Sequence, residues 1–429
     1  MIYIKEKKDC CGCFACLQKC PKQCIHFYED NEGFLYPKVD TEKCVDCGLC
    51  EEVCPSLNMA NEREPLGVYA AKNPDNYIRN DSSSGGIFTL LAEQIIDQGG
   101  VVFGVRWNEH FEAVHTYTDT KEGLSSFRGS KYVQSFPGDT FKQAENFLKD
   151  GRKVLYSGTS CQIAGLRSFL RKDYHNLYTV DLICHGCPSP GVFRWYLNDE
   201  LARESSRQSG KRIQYHSSLP ISSIAQADVL ARKYGFEIGD INFRDKRLGW
   251  KIFSFVLYLK PLTELTAKGW YPVVLTSTLY ENSFMKGFLN NIYLRPSCYV
   301  CPSKAGKSES DLTLADYWGI QSIIPELDDD KGISAITVNT SKGYELLLAT
   351  SAELFPTNYA NLCANNPSLL YSCKLPYARD RFFSLMNKRF DKNLENSFKI
   401  SLALKLKMHI YGFYVKIRRV INRCFNSNI

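Results

Sequence analysis

The 429-residue chain has no run of about eighteen uncharged apolar residues, which excludes a conventional membrane-spanning helix. It opens MIYIKEKKDCC, with charges where a secretory leader would carry an apolar core. The expected location is therefore the reducing cytoplasm, and a disulfide framework is disfavoured. Acidic residues are missing altogether after Glu395. The tail beyond it carries Lys399, Lys405, Lys407, Lys416, Arg418, Arg419 and Arg423, which equals the whole net charge of +7. The body is thus close to neutral, and a nucleic-acid footprint on it is not indicated. No low-complexity segment is present. The length suits two or three domains, and a 44% hydrophobic content allows a sizeable core.

What the chain does have is cysteine, eighteen in all. Cys10, Cys13, Cys16 and Cys20 follow C-x2-C-x2-C-x3-C and are closed by Pro21. Cys44, Cys47, Cys50 and Cys54 repeat the pattern and are closed by Pro55. This is the ligand spacing of a protein with two [4Fe–4S] cubanes, in which the fourth cysteine of each run serves the other run's cluster. The assignment is Cys10, Cys13, Cys16 and Cys54 for one cluster, and Cys44, Cys47, Cys50 and Cys20 for the other. Zinc is the alternative for single CxxC pairs, but two matched four-cysteine runs fit it poorly. Cys11 and Cys24 fall outside the pattern and are read as bystanders.

Between the runs, IHFYEDNEGFLYPKV flanks an Asn31–Glu32–Gly33 turn with aromatic and β-branched residues and predicts a hairpin. Residues 56–66 are polar and read as a linker. From Gly67 the pattern becomes α/β: a strand at VYAAK, a helix over about Gly86–Gln98, strands at GVVFGVRW and EAVHTYTD, and a helix over Thr140–Lys149. KVLYSGTSCQIAGLRSFLRK and LYTVDLICHGCPSPGVFRWYLNDEL each read strand, turn, helix, which predicts parallel strands. Ligands of such sheets lie beyond the strands' carboxyl ends. Ser157–Cys161, including Gly158 and Thr159, and Cys184–Pro190 should face that crevice. Residues 205–240 read as polar and loop-rich. Further strands are expected within INFRDKRLGWKIFSFVLYL, DLTLADYWGI and ISAITVNTS, and helices at LYENSFMKGFLNN and near Tyr344–Ser351.

Three other constellations carry chemistry. Ser83, Ser84, Gly85 and Gly86 precede a helix, as a phosphate cradle or as an ordinary serine cap with a flexible turn. Arg128 and Lys131, with Gly129 and Ser130, could pair with a pyrophosphate or be plain surface charges. Cys161, Cys184, Cys187, Cys298 and Cys301 form a second cysteine set, four of which could surround a third cubane. Zinc, or burial as small apolar side chains, are the alternatives. His185 is a candidate proton donor or an ordinary hydrogen-bonded histidine. The tail FKISLALKLKMHIYGFYVKIRRVINRCF has helical spacing; it suits an anionic membrane face, an acidic protein partner, or packing on the body.

SSGG, RGSKYVQS, SGTSCQIAGLRSFL, VDLICHGCPSP, RPSCYVCPSKAG and ADYWG occur in the order found in the family of coenzyme F-420 hydrogenase/dehydrogenase beta subunits, which residues 67–320 resemble. INFRDKRLGWK and LYENSFMKGFL look like its bacterial branch. The resemblance implies an FAD-dependent oxidoreductase with SSGG and GSK on the flavin phosphates. It also implies Cys161, Cys184, Cys298 and Cys301 as cluster ligands near the flavin. Ser160 stands where the family usually has proline, and Ala315–Tyr317 replace Gly-Asp-Ala with Asp316 retained. The expected fold is α+β: a small bacterial-ferredoxin-like 2[4Fe–4S] domain (1–60), an α/β flavin-binding domain (67–205), a C-terminal family part with the CxxC (206–345) and a basic helical tail (346–429). The expected function is electron transfer between a ferredoxin-like donor and a flavin-bound small molecule, as a reductase. A non-catalytic subunit relaying electrons to a partner enzyme is the alternative.

Overall fold

The computed structural model describes residues 1–211, 213, 220–262, 271–384 and 389–399. The basic run expected to form the tail helix, residues 400–429, lies outside the described residues, so its membrane or partner contact does too. Among the described residues no helix is long and apolar enough to cross a membrane.

The amino-terminal module is small. Helix Ala15–Lys19 lies within the first cysteine run, and helix Leu49–Glu52 within the second. Between them β1 (Ile25–Glu29) and β2 (Leu35–Val39) pair antiparallel around the Asn31–Gly33 turn, as the sequence predicts. Asp30 holds the turn by accepting from the Glu32 and Phe34 N–H groups at 3.0 and 2.9 Å.

The body is built on one eight-stranded mixed sheet. Its strands are β3 (Gly67–Lys72), β4 (Val101–Trp107), β5 (Ala113–Thr118), β6 (Val154–Thr159), β7 (Leu177–Leu182), then β11 (Leu312–Asp316), β12 (Ser334–Val338) and β13 (Glu353–Thr357). The order is β13-β3-β12-β11-β7-β6-β4-β5. The centre is parallel, β4 with β6, β6 with β7 and β7 with β11, while β5, β12 and β13 pair antiparallel. Alternate residues go to opposite faces. Val101, Phe103, Val154 and Tyr156 pack against helices Thr140–Lys149 and Ser160–Leu170. Val102, Leu155, Val180, Leu312 and Ile336 pack against helices Ile87–Ile96 and Ser341–Leu348. Both faces are covered, which is why these strands read as nearly continuous apolar runs.

A second, antiparallel sheet of β8 (Phe236–Asp245), β9 (Ser254–Pro261) and β10 (Val273–Thr278) shares an aromatic-rich core with helices Pro190–Ser209, Ala227–Lys233 and Ser283–Leu289. Residues 205–240 are therefore less loop-rich than expected. The helix from Pro190 continues through Ser209, and Ala227–Lys233 adds another. The longer of the two crosses the boundary expected at 205/206. β11 and β12 lie in the same sheet as β3–β7, and β13, not foreseen, joins it from beyond residue 345.

The two modules dock through specific contacts. Gln18 Oε1 accepts from the Phe141 N–H at 2.9 Å, and Lys19 Nζ donates to the Phe169 carbonyl at 2.8 Å. Cys13 sits directly on Gly165, where a Cβ would lie 2.7 Å from the Cys13 Cβ. Arg379 pairs through both terminal nitrogens with Glu32 at the hairpin tip.

Candidate redox centres and the anion cradle

The first thiol nest is formed by Cys10, Cys13, Cys16 and Cys54. Burial pushes the Cys16 thiol up, and contact with Cys11, then burial, pushes Cys13 up, with Cys54 adding to both. Burial also raises Cys54, to about 11. Backbone N–H groups oppose this: Gly12 on Cys10, Leu17 on Cys16, and Leu57 and Ser56 on Cys54. Donors aimed at sulfur favour the thiolate that metal binding requires. Cys11, read as a bystander, instead hydrogen-bonds the thiols of Cys13 and Cys161, and so joins this nest to the body.

The second nest is a pocket lined by Cys20, Cys44, Cys47 and Cys50, with Cys24, Met1 and Val39 around them. The Ile2 N–H reaches Cys50 Sγ at 3.2 Å and the Asp46 N–H reaches Cys44 Sγ at 3.4 Å. Burial raises Cys20, but the N–H groups of Cys24, Lys22 and Gln23 outweigh it and leave the thiol lowered. Cys20 thus lies with the second run and Cys54 with the first, so each run sends its last cysteine across. Among the described residues, no three His, Cys, Asp or Glu side chains are grouped as a single ion would hold them. The four thiols of each nest, with N–H groups on Cys10, Cys16 and Cys54 in the first and on Cys20, Cys44 and Cys50 in the second, fit a compact polynuclear anion.

A third nest lies in the body. Cys184 hydrogen-bonds Cys187, which lowers its thiol to about 7, and Cys187 hydrogen-bonds Cys298. The Cys187 N–H also reaches Cys298 Sγ at 3.3 Å. Cys301 lies within electrostatic reach of Cys298 and Cys184, and Cys373 donates to the Cys298 carbonyl at 3.3 Å. Cys161, expected in this set, hydrogen-bonds Cys11 first and senses Cys301 only at longer range. His185, next to Cys184 in the chain, has Nε2 2.6 Å from Asn291 Oδ1 and its ring against Phe288. Burial lowers its pKa, so it stands as a neutral, hydrogen-bonded imidazole.

The expected phosphate residues meet at one place. Ser83 Oγ accepts from the Ser130 N–H at 2.7 Å and lies 2.8 Å from Ser130 Oγ, joining SSGG to RGSK. The other members of SSGG are used by the fold. Ser84 Oγ donates to the Ile333 carbonyl at 2.9 Å, and Gly86, at φ +79°, caps the following helix. A Cβ on Gly85 would lie 2.5 Å from the Ala71 carbonyl. Gly129 is different: at φ +76° it has open space where a Cβ would be. Lys131 Nζ donates to the carbonyls of Arg128, Ser126 and Gly129 at 2.8, 3.0 and 3.2 Å. Burial lowers its pKa to about 8. Arg128 contacts Asp81 at 3.2 Å and Thr89 at 3.3 Å.

Two cations on β8 and its following turn complete this cradle, and sequence reading missed both. Lys246 Nζ donates to the carbonyls of Arg79, Ser84 and Lys331 at 2.7–2.8 Å, and burial, then Arg244, lowers it to about 7. Arg244 bonds both oxygens of Asp316 at 2.8 and 3.2 Å, and the Ser83 carbonyl at 3.1 Å. Trp250 Nε1 donates to Asp316 at 2.9 Å, and its ring stacks on Trp318 at 4.8 Å. Their sequence signals are Asp316, retained within ADYWG, and the stretch INFRDKRLGWK, which holds both cations but reads only as a mark of the bacterial branch. Gly158 is buried against Gln162 and His115, and Thr159 closes a capping box with Gln162 at 3.0 Å. Both belong to the turn that starts the helix carrying Cys161.

Comparison with known proteins places these features in a family. Residues 9–58 match the 4Fe-4S dicluster domain. Residues 68–140 and 151–357 match the two parts of the coenzyme F420 hydrogenase/dehydrogenase beta subunit, its N-term and its C terminus. One component of the F(420)H(2) dehydrogenase of Methanosarcina mazei is 27% identical over 189 residues, covering 41% of this chain and 53% of that protein. The coenzyme F420-dependent sulfite reductase of Methanocaldococcus jannaschii is 27% identical over 197 residues, covering 43% and 29%. A 7Fe ferredoxin of Hydrogenibacillus schlegelii is 39% identical over 64 residues, covering 14% of this chain and 76% of that one. The chain thus spans about half the length, or less, of the long relatives it matches. A chain of the F420-reducing [NiFe] hydrogenase complex of Methanosarcina barkeri aligns with 78% of it at 16% identity and a TM-score of 0.40, too loose to carry an argument. The chain belongs to the family of coenzyme F420 hydrogenase/dehydrogenase beta subunits, with an iron–sulfur electron-transfer domain of the 4Fe-4S dicluster type at its amino end.

Proposed function

We propose that the protein is an FAD-dependent iron–sulfur reductase. Electrons from a low-potential, ferredoxin-like donor enter at the amino-terminal nests and leave to a small molecule in the crevice at the carboxyl ends of β3, β6, β7 and β11. The observation that carries this reading is the junction of Ser83 with Ser130, beside two half-buried lysines that have no carboxylate in ion-pair reach among the described residues. Asp81 and Asp240 act on Lys131, and Asp316 and Asp329 on Lys246, only through space, and cations without a contact carboxylate suit a bound pyrophosphate. Lys131 and Lys246 would hold its charge, and Gly129 would admit the phosphate to backbone distance. The Arg244–Asp316–Trp250 network would keep the floor rigid. When bound, the flavin supplies the exchange between two-electron and one-electron chemistry.

In the same reading Cys10, Cys13, Cys16 and Cys54 hold one cubane, and Cys20, Cys44, Cys47 and Cys50 the other. Cys184, Cys187, Cys298 and Cys301 hold a third, with Cys187 in the place expected for Cys161. Cys11 and Cys161 bridge the first and third nests. His185 would keep a neutral hydrogen-bonding group beside the third nest.

The second reading, a relay subunit that passes electrons to a partner enzyme, is favoured by the exposure of Cys47 and by the opening of its nest at the surface. The relative from Methanosarcina mazei, itself named as a subunit of a dehydrogenase, agrees with it. Oxygen-free purification with iron, acid-labile sulfide and acid-released flavin analysis tests the cofactors. Turnover with reduced viologen then separates the readings. Flavin that is reoxidised by small molecules alone supports the reductase, and flavin reoxidised only with an added partner protein supports the relay. Material without flavin refutes the first reading.

A further inference from the structure

Arg295 lies just before the Cys298–Cys301 pair and is fully buried. Burying a guanidinium is expensive unless an anion faces it. Its charged or ionisable neighbours are Cys10, Tyr36 and Cys11, with Cys298 also in electrostatic reach, and no carboxylate pairs with it among the described residues. Its nitrogens donate to the Cys10 carbonyl at 2.7 Å, the Leu35 carbonyl at 2.9 Å, Gln134 Oε1 at 3.0 Å and Cys10 Sγ at 3.4 Å. The guanidinium lies over the Tyr36 ring, 4.3 Å from its centroid. Gly12 makes room for it: at φ +70°, a Cβ there would lie 2.9 Å from the guanidinium carbon. The backbone of Arg295 faces the other way, donating to the Cys187 carbonyl at 2.9 Å and accepting from the Cys298 N–H at 2.8 Å. One residue therefore spans the first and third nests.

We propose that Arg295 is a positioning residue that sets the reduction potential of the cluster held through Cys10. Net charge and hydrogen bonds to sulfur are the protein's levers on that potential. Reduction adds one electron and one negative charge to the cluster, with no bond made or broken and no proton required. A fixed cation on a ligand sulfur stabilises the reduced state more than the oxidised one, so Arg295 raises the midpoint. The anion missing from its surroundings is the thiolate-bound cluster itself. This rests on Cys10 being a cluster ligand, as proposed above.

The test is an EPR-monitored redox titration of the anaerobic full-length protein, with mediators, beside iron and sulfide counts. Arg295→Gln should lower the midpoint of the cluster held through Cys10 by about 59 mV, a tenfold change in a one-electron equilibrium, with a smaller shift of the cluster held through Cys298 and none of the cluster in the second nest. Arg295→Lys, which keeps the charge but not the fork, should fall between Gln and wild type. Gln134→Glu sets a carboxylate against the guanidinium at nearly constant shape and should lower the same midpoint. It decides the matter if Arg295→Gln loses iron. Variants with full iron content and unmoved midpoints overturn the proposal, as does an equal shift of every cluster. Wild-type protein lacking EPR-active clusters would instead refute the ligand assignment beneath it.

Discussion

On the proposed reading, Lys131 ties flavin binding to pH in a direction that can be checked. Its ammonium is buried on three carbonyls, and its pKa falls from 10.5 to about 8. A pyrophosphate at the Ser83–Ser130 junction would favour the charged form and raise that pKa again. Above pH 8 the free protein has lost the proton that the complex needs, so binding must take one up. By linkage the dissociation constant for FAD should be level below the lysine pKa and rise about tenfold per pH unit above it. Lys246, lowered to about 7 on the other side of Ser84, should bring the onset down towards neutral pH. The apoprotein should behave oppositely. Because the folded pKa is depressed, unfolding takes up a proton between about pH 8 and 10.5, so the apoprotein gains stability as pH rises through that window. The assay is equilibrium dialysis or fluorescence titration of FAD into anaerobic apoprotein from pH 6.5 to 9.5 at fixed ionic strength. Lys131→Met should weaken binding at pH 7 and flatten the profile, while Lys131→Arg should keep binding without that titration. A dissociation constant that does not change across the range, or a Lys131→Met profile like the wild type, refutes the pyrophosphate reading.

Removing Asp316 should be costly, because it leaves the buried Arg244 guanidinium without its carboxylate: Asp316→Asn should destabilise by about 3–5 kcal/mol, read as a thermal midpoint several degrees lower. An unchanged midpoint would refute the pairing. Anaerobic iron analysis should give about twelve irons per chain if three cubanes assemble, at four each. Cys187→Ser should then lose about four of them while Cys161→Ser keeps the full count, and the reverse result would restore Cys161 as the ligand. Gly165→Ala places a methyl against the Cys13 Cβ and should cost about 1–3 kcal/mol by overpacking. The added signature is a perturbed EPR spectrum of the first cluster, and a spectrum and melting curve like wild type would refute the close docking.

Features legible in the sequence share one property, namely that their cause is local. The cysteine spacing works because one turn of chain wraps one corner of a cubane, so Cys10–Cys20 and Cys44–Cys54 announce themselves without tertiary information. The hairpin is written in the Asn31–Gly33 turn, and the parallel centre of the sheet in the apolar runs at Val154–Tyr156 and Leu177–Val180, which are covered on both faces. β13 was not legible because ELFPT has a strand's pairing only once β3 lies beside it, from the far end of the body. The third nest was half legible: the CxxC at Cys298 is local, but whether Cys161 or Cys187 faces it depends on how the loop after β7 returns.

The charges around these sites were the least legible part, for a physical reason. A ligand must sit within bonding distance of its metal, so evolution can place several on one short segment. A counter-charge acts through space and can come from any segment that folds nearby. Arg295 reaches Cys10 across 285 positions, and Arg244 and Lys246 reach the Ser83–Ser84 turn across about 160. Each looks in sequence like one more basic residue in a chain with 53 of them. The same three residues are where the body contacts the anion sites most directly. On the proposals above, two proteins with identical cysteine runs would hold the same clusters and differ in potential and flavin affinity, because the cations involved lie far in sequence from the sites they act on.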